Sequence, residues 1–282
     1  MTDTVLVTGA GRGIGRATVE RFLAGGWRAV AGVRDPDAAR EALPADDRLK
    51  IIRLDVTDAD AVPGAVAEAE AFAGGALACV VPNAGYALMG SAEDVDLAEA
   101  RRMFDTNFFG NVDVVQHCLP AMREAGRGSV VCVSSIGARV THPLLSMYHA
   151  TKYAMSAWAE GMRIELRPLG VRVHVLEPGM VNTDFSMATR VTGGIAAGEG
   201  AYAPLFEQLK LGFRAWRQEM GIGPEPVAEA AFAAATDPEA AFRVPVGADS
   251  ELIGDARDAW DDEGFQDWLL GFLRLDWGQP AE

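Results

Sequence analysis

Short apolar segments rich in β-branched residues alternate with longer helical patterns along most of this 282-residue chain. The predicted strands cover residues 4–8, 28–33, 49–55, 78–81, 129–134, 171–176 and 242–247, and the predicted helices cover residues 14–25, 36–42, 58–73, 97–125, 148–168 and 225–236. The strand segments are hydrophobic almost throughout, as is typical of parallel strands covered on both faces. This repetition predicts an α/β fold: a doubly wound, parallel, seven-stranded sheet with helices on both faces, in a single domain.

Local signals refine the division of the chain. Pro36 is expected in the first turn of its helix, and Asp58 is expected to cap the third helix. Residues 184–224 form a long insertion rich in Gly, Met and aromatic residues, a length that is usually functional in a compact domain. Residues 251–282 carry many large apolar side chains, so we expect a C-terminal helical tail packed on the body or on a neighbouring subunit.

Composition argues against several classes of function. The net charge of −15 and the pI near 4.7 disfavour binding to nucleic acid or to an anionic membrane surface, since both need clustered Lys and Arg. No apolar run approaches the about 18–20 residues of a membrane helix, and the first residues lack the features of a signal peptide. The 3 cysteines and 4 histidines have no paired or clustered spacing, so we expect buried thiols, no disulfide, no metal and a cytoplasmic location.

The first predicted strand leads directly into a glycine-rich turn, TGAGRGIGRATVERFLA at residues 8–24. Gly9, Gly13 and Gly15 let the backbone approach a ligand closely, and the helix that follows offers free N–H groups and a positive dipole end to a phosphate. A tight turn without a ligand is the alternative. The strand before the turn and the helix after it favour dinucleotide binding.

A second motif, SMYHATKYAM at residues 146–155, sets Tyr148 four residues before Lys152. On a helix the two side chains lie on one face, one turn apart, and reach a common small molecule. Taken alone, the spacing is also compatible with an ordinary solvated helix face.

The glycine spacing and the motifs after it resemble those of the short-chain dehydrogenase/reductase family, in particular its hydroxysteroid dehydrogenase and carbonyl reductase-like members. The matching elements are Asp55, PNAG at 82–85, Asn107, Ser134-Ser135, Tyr148-x-x-x-Lys152 and EPGMVNT at 177–183. Pro82 departs from the family's NNAG turn. The resemblance covers residues 4–183 closely and 245–250 more loosely. It implies a Rossmann-type fold in which residues 1–250 form the dinucleotide-binding and catalytic domain, with residues 184–224 as a substrate lid.

The resemblance implies a catalytic group formed by Asn107, Ser135, Tyr148 and Lys152. Tyr148 would act as the acid–base, and Lys152 together with oxidised coenzyme would lower the phenol pKa from its usual value of about 10. Ser135, at the commonest family spacing, would orient the substrate oxygen, and Ser134 would be a packing or phosphate-side hydroxyl. Asn107 would anchor a water that links Lys152 to solvent, or merely bend its helix.

The implied coenzyme contacts follow the same motifs. They are Gly9, Arg12, Gly13, Ile14, Gly15, Arg34, Asp55, Val56, Asn83, Ala84, Gly85, Tyr148, Lys152, Pro178, Gly179, Val181 and Thr183. The second strand ends at Val33 and is followed by Arg34, and Arg12 in the glycine turn can point at the same ribose. Two guanidinium groups without a carboxylate suit the 2′-phosphate of NADP, and two solvated arginines are the alternative. A shift of one residue would instead make Asp35 a ribose ligand, as in NAD binding.

The implied substrate site is apolar. Its predicted lining is Ser135, His142, Leu145, Met147, Tyr148, Phe185 and Met187, closed by the lid. Pliable, apolar side chains suit a bulky hydrophobic ketone or secondary alcohol. Each lining residue has an alternative role in packing the lid, and His142 is also compatible with a surface position.

We therefore expect an NADP(H)-dependent oxidoreductase that transfers a hydride between the nicotinamide and a hydrophobic ketone or secondary alcohol. Two alternatives use the same site: an isomerase or lyase without net redox change, and an NADP-binding regulatory or sensor protein. The family pairs its long helices across two-fold axes, so a homodimer or homotetramer is expected, with the long predicted helices 97–125 and 148–168 at the interface.

Overall fold

The computed structural model describes residues 2–183, 185 and 189–277. In that part of the chain, seven strands form one parallel sheet: β1 Thr4–Thr8, β2 Arg28–Val33, β3 Leu49–Arg53, β4 Cys79–Val81, β6 Gly128–Val133, β7 Val171–Pro178 and β9 Arg243–Val246. Two short strands, β5 Leu88–Met89 and β8 Arg190–Val191, pair in parallel as a second sheet. The main sheet has the order β3-β2-β1-β4-β6-β7-β9, so the order reverses next to β1, where doubly wound folds bind ligands.

The α-helices connect and cover the strands. They are α1 Gly13–Ala24, α2 Pro36–Ala42, α3 Val62–Ala73, α4 Leu97–Phe104, α5 Gly110–Ala125, α6 Ser146–Leu166, α7 Gly194–Ala197, α8 Ala203–Met220, α9 Glu225–Thr236, α10 Ala248–Ala259 and α11 Asp262–Phe272. A π-helical segment, Asp105–Phe109, joins α4 to α5, and short 3-10 helices cover Ile136–Ala138 and Arg167–Leu169. None of the helices in the described residues is both long and apolar enough to span a lipid bilayer.

Two apolar cores lie on opposite faces of the main sheet, because its central strands β1, β4, β6 and β7 are buried on both sides. Helices α3, α5 and α6 supply one core, which includes Val66, Val115 and Met155. Helices α1 and α9 supply much of the other, which includes Phe22 and Ala231. The predicted doubly wound, Rossmann-type sheet with helices on both faces is thus confirmed.

A third apolar cluster joins the insertion after β7 to the C-terminal helices. Leu209 and Trp216 of α8 pack with Phe265 and Leu269 of α11. Helix α10 begins at Ala248, so it runs across the boundary that the sequence suggested near residue 250. The division into a main domain, a lid and a tail stays a prediction.

One local expectation was wrong, and another missed a change of helix type. Asp58 does not cap α3, because it lies four residues before the helix begins at Val62. Its carboxylate accepts a hydrogen bond from the backbone amide of Ala61 in the preceding turn. Residues 97–125 are helical as predicted, but residues Asp105–Phe109 form a π-helical segment, which the sequence did not predict. Pro36 does begin α2, as expected.

Candidate active site

The glycine turn between β1 and α1 is packed against the loop after β4. Gly9 has φ +63°, and a Cβ there would lie 2.9 Å from Cα of Ala84. At Gly15 a Cβ would lie 2.6 Å from the side-chain nitrogen Nδ2 of Asn83, so both Gly9 and Gly15 need glycine. Arg12 precedes α1 without capping it through its side chain, and the first turn of α1 has no acidic residue. The leading N–H groups of α1 are therefore suited to an anionic ligand, as the phosphates of a dinucleotide require.

A buried network that the sequence did not predict holds this turn in place. The Thr8 hydroxyl accepts hydrogen bonds from the amides of Asn83 and Ala84, both at 2.9 Å, and donates to Oδ1 of Asn111 at 2.9 Å. The Asn111 amide in turn donates to the carbonyl of Ala84 at 2.8 Å. Thr8 and Asn111 lie in predicted elements, and only their fully buried polar side chains would have pointed to this role.

The residues expected at the adenosine end lie beyond β2 and β3. Arg34 is exposed just after β2, whereas Oδ1 of Asp35 accepts hydrogen bonds from the amides of Asp37 and Ala38, both at 3.1 Å, as the cap of α2. Asp55 accepts from the amide and hydroxyl of Thr57. Val56 is buried beside it, and Ile14 is packed against the core.

Asn107 lies in the π-helical segment and is 2% exposed. Its Oδ1 accepts from the Tyr86 amide at 3.0 Å, and its Nδ2 donates to the Tyr86 carbonyl at 2.9 Å and to the Thr151 hydroxyl at 3.1 Å. Gly85 lies against this amide, since a Cβ there would be 3.1 Å from Asn107 Oδ1. Asn107 thus links the loop after β4 to helix α6, which carries Thr151. Its expected contact with a water stays a prediction.

Ser135, Tyr148 and Lys152 come together at the carboxyl end of β6. The Ser135 hydroxyl lies near enough to the Tyr148 phenol to act on its pKa, and it accepts a hydrogen bond from the Gly137 amide at 3.0 Å. The Lys152 ammonium lies 5.9 Å from the centroid of the Tyr148 ring and donates to the Val133 carbonyl at 3.1 Å.

Ser134, expected as a packing or phosphate-side hydroxyl, makes packing contacts. Its hydroxyl donates to the Lys152 carbonyl at 3.3 Å and lies 3.0 Å from the Ser156 hydroxyl. These contacts tie β6 to α6 inside the core, where Ser134 is buried. The role of Ser135 in orienting a substrate oxygen stays a prediction.

Burial dominates the electrostatics of the site. It raises the pKa of Tyr148 to about 12, and the interaction with Ser135 acts in the opposite direction. Burial likewise lowers the pKa of Lys152 to about 8. The sequence predicted a lowered tyrosine pKa with coenzyme bound. In the protein alone the pKa shift has the opposite sign, because desolvation of the phenolate outweighs the interaction with Ser135. The Lys152 ammonium donates to the Val133 carbonyl instead.

The segment after β7 reaches back to the glycine turn. A Cβ at Gly13 would lie 3.4 Å from Cβ of Thr183, so Thr183 lies beside the start of α1. Pro178 ends β7, and Gly179 donates to the Val246 carbonyl at 3.0 Å. Val181 forms an isolated bridge with Ile222. The structure thus brings together the predicted coenzyme contacts that follow β1 and β7, at the carboxyl ends of these two strands.

The predicted substrate residues divide into two groups. Phe185 and Met147 adjoin Tyr148, with 6.0 Å between the ring centroids of Phe185 and Tyr148. Leu145 and His142 are buried in the third apolar cluster and its surroundings, so the surface alternative for His142 was wrong. The His142 ring lies 4.9 Å from that of His149 and 5.4 Å from that of Trp216. Met187 lies outside the described residues.

Known proteins resemble this chain over most of its length. The family described as short chain dehydrogenase matches residues 3–192. The chain is 37% identical over 208 residues to a sulfoacetaldehyde reductase of Chromohalobacter salexigens, covering 72% of this chain and 81% of the relative. It is 32% identical over 186 residues to the uncharacterized oxidoreductase YbbO of Escherichia coli, covering 66% of this chain and 68% of that one.

Solved structures agree. A short-chain dehydrogenase from Streptomyces avermitilis superposes with a TM-score of 0.80 at 30% identity, covering 95% of this chain and 97% of that one. A short chain dehydrogenase from Burkholderia cenocepacia in complex with NADP has a TM-score of 0.73 at 26% identity, covering 99% of this chain and 98% of that one. A 3-ketoacyl-(acyl-carrier-protein) reductase from Brucella melitensis complexed with NADH gives 0.74 at 25%, covering 86% and 96%.

The matched region contains the glycine turn, the Asn107 segment, the serine–tyrosine–lysine group and the segment after β7. Its fold and its motifs agree with those of dehydrogenases and reductases. The chain belongs to the short-chain dehydrogenase/reductase family of oxidoreductases.

Proposed function

We propose that this protein is an NADP(H)-dependent oxidoreductase that transfers a hydride between the nicotinamide and a hydrophobic ketone or secondary alcohol. The observation that carries the proposal is the grouping of Tyr148 and Lys152, one helical turn apart on α6 with the Lys152 ammonium 5.9 Å from the Tyr148 ring centroid, beside Ser135, whose hydroxyl acts to lower the pKa of Tyr148. This group lies at the sheet edge where the glycine turn and Thr183 also meet.

Tyr148, Ser135 and Lys152 have separate roles in carbonyl reduction. NADPH supplies the hydride when bound. Tyr148, whose pKa is raised to about 12, keeps its proton at neutral pH and donates it to the carbonyl oxygen. Ser135 orients that oxygen through its hydroxyl. Lys152, with a pKa near 8, is largely charged at pH 7, and would hold the nicotinamide ribose hydroxyls while stabilising the tyrosinate left after proton transfer.

The preference for NADP over NAD rests on the end of β2. Oδ1 of Asp35, the residue that would hold NAD's ribose, is engaged in capping α2. Arg34 and Arg12 are exposed next to the glycine turn and β2, where a 2′-phosphate would lie. The Burkholderia and Brucella structures contain NADP and NADH respectively, so the family fold accommodates either coenzyme.

The substrate class rests on the third apolar cluster, which includes Leu145 and against which Tyr148, Met180 and Phe206 pack. We propose that residues 184–224, which supply part of this cluster, act as the lid of the substrate site. The relative named sulfoacetaldehyde reductase supports a carbonyl compound as the substrate. We further propose a cytoplasmic location, consistent with three free, buried cysteines, and a homodimer or homotetramer.

The test is NADPH consumption with a panel of aliphatic, alicyclic and aryl ketones, with Tyr148→Phe as the variant. The loss of the proton donor should lower turnover by roughly 10²–10⁴-fold while NADPH binding is retained. Tyr153→Phe is the matched control, since Tyr153 lies on the same helix and is 41% exposed. Full activity of Tyr148→Phe would refute the proposal, and NADPH binding without turnover of any ketone would favour the sensor alternative.

A further inference from the structure

Asp249, the second residue of α10, is a fully buried carboxylate that accepts hydrogen bonds from three N–H groups. Its Oδ2 accepts from the Met180 amide at 2.6 Å and from the indole of Trp216 at 2.8 Å, and its Oδ1 accepts from the Ser250 amide at 2.9 Å. A buried carboxylate is costly unless such donors surround it, and the N-terminus of α10 adds a favourable dipole. Asp249 therefore joins the segment after β7, the start of α10 and the insertion helix α8.

On one side, Asp249 holds the segment that leads to the glycine turn. A Cβ at Gly179 would collide with the Asp249 carboxylate, so this close approach requires glycine. The Ser250 hydroxyl donates to the Glu177 carbonyl at 2.6 Å and fixes the same stretch of backbone. Four residues beyond Gly179, Thr183 contacts the turn. The position of Asp249 thus sets the path of the chain on the coenzyme side.

On the other side, Asp249 orients the ring of Trp216. That indole lies edge-on to His142, at 5.4 Å between ring centroids, and to Phe272, at 5.3 Å. His142 belongs to the stretch between Ser135 and Tyr148. Trp216 is therefore part of the apolar wall behind the reacting tyrosine, and its hydrogen bond to Asp249 decides which way the indole faces.

We propose that Asp249 is a positioning residue that couples the coenzyme-side segment 178–183 to the substrate-side wall of α8. This inference rests on the proposed function. A shift of the Met180 amide moves the carboxylate, and the carboxylate moves the indole of Trp216. Coenzyme binding against segment 178–183 then orders the substrate wall as well.

A double-mutant cycle tests the coupling. Asp249→Asn should raise KM for both NADPH and the ketone by about tenfold or more, because charge-assisted hydrogen bonds are lost on both sides. Trp216→Phe should raise KM for the ketone and leave KM for NADPH unchanged. Because the two side chains act through one bond, the double variant should bind the ketone no worse than Asp249→Asn alone. The controls are Asp258→Asn and Trp260→Phe. Asp258 lies on α10, as Asp249 does, and forms an exposed ion pair with Arg139, and Trp260 is 55% exposed.

A second measurement needs neither coenzyme nor turnover, so it separates failure of this inference from failure of the proposed function. Hydrogen exchange of the Trp216 indole N–H, assigned by its loss in Trp216→Phe, should be slow in the wild type. It should be much faster in Asp249→Asn and in Gly179→Ala, which displaces the carboxylate. If Asp249→Asn does not fold, Gly179→Ala supplies the comparison. Unchanged indole exchange in the folded variants, or ketone losses that multiply in the double variant, would overturn the inference.

Discussion

Arg34 and Asp35 are neighbours in sequence, but the structure gives them different surroundings. The Asp35 carboxylate accepts hydrogen bonds from the first backbone amides of α2, while Arg34 is exposed at the end of β2. Local backbone geometry therefore decides which of the two is available to a ribose. The sequence alone left this choice open, since a shift of one residue in the strand end would exchange them.

We predict that Arg34→Asp raises the dissociation constant of NADPH by about tenfold or more and changes that of NADH little, because a guanidinium–phosphate pair is replaced by a repulsive carboxylate. Fluorescence titration with the two reduced coenzymes measures both constants. Arg40→Asp makes the same charge change on α2, where Arg40 pairs with Asp37, and should affect neither. Equal losses of the two coenzymes in Arg34→Asp would reject the assignment.

His149 carries a buried imidazole that stays neutral in the folded protein. Its Nδ1 donates to the Gly137 carbonyl at 2.9 Å, and burial lowers its pKa from 6.5 to about 4. The unfolded state therefore binds the proton first as the pH falls. This group makes the free energy of unfolding decrease between about pH 6.5 and pH 4, and the loss is complete below the folded pKa.

We predict that His149→Gln lessens the acid sensitivity of the fold. The difference of about 2.5 in pKa corresponds to an upper limit of about 3 kcal/mol. Urea titrations at pH 7 and at pH 4.5 should show a smaller drop in the free energy of unfolding for His149→Gln than for the wild type. His117→Gln, at an exposed histidine beside Asp113, should retain the wild-type drop. An equal drop in His149→Gln would show that another group governs the acid response.

At the scale of elements, the insertion after β7 is fastened near its start by the small sheet of β5 and β8. Asp94 adds to this attachment: its carboxylate accepts from the Gly194 amide at 2.8 Å and from the Ser91 hydroxyl. The Thr192 amide also donates to the Met89 carbonyl at 2.9 Å. These contacts tie α7 to the loop before α4.

We predict that Asp94→Ala raises KM for the ketone several-fold, because the insertion loses an anchor, while the dissociation constant of NADPH stays the same. Steady-state kinetics and coenzyme titration separate the two effects. Glu93→Ala, at the adjacent exposed carboxylate, is the matched control. A ketone KM that Asp94→Ala leaves unchanged would remove the insertion from substrate binding.

The elements that sequence reasoning found are those with a repeating pattern. The strands of the main sheet and helices such as α1 and α9 bury whole faces, so their apolar residues recur at a regular spacing. β5 and β8 have two residues each, too few to show any period. The π-helical segment around Asn107 was hidden for another reason, since it changes the hydrogen-bond register and leaves the composition unaltered.

For the candidate site, the sequence supplied the motif residues but not their supports. Tyr148, Lys152 and Ser135 follow from spacing within the family motifs. Thr8 and Asp249 do not, because their partners lie far along the chain: 103 positions separate Thr8 from Asn111. Polar side chains whose hydrogen-bond partners lie far along the chain have no recognisable motif in the sequence around them.

At the scale of the whole molecule, the long helices carry apolar side chains that the chain itself does not cover. Ile164 on α6 is 75% exposed, and Phe109, at the end of the π-helical segment before α5, is 58% exposed. Exposed apolar groups on these two helices agree with the expected pairing of subunits.

We predict that the wild type sediments as a dimer or tetramer at micromolar concentration and that Ile164→Glu shifts it towards the monomer, because a charge would be buried at the interface. Analytical ultracentrifugation measures the mass. Leu211→Glu introduces the same charge at a 63% exposed leucine on α8 and should leave the assembly intact. A monomeric wild type would count against the expected pairing.

The pairing of β5 with β8 has a kinetic consequence. The Thr192 hydroxyl and the Met89 carbonyl that meet there are 103 positions apart, so a very long loop must close before the contact can form. Contacts of such high sequence separation form late, after local helices and neighbouring strands have assembled. On refolding from denaturant, helical circular dichroism should return first, and a chain competent to enclose its ligand should appear only afterwards.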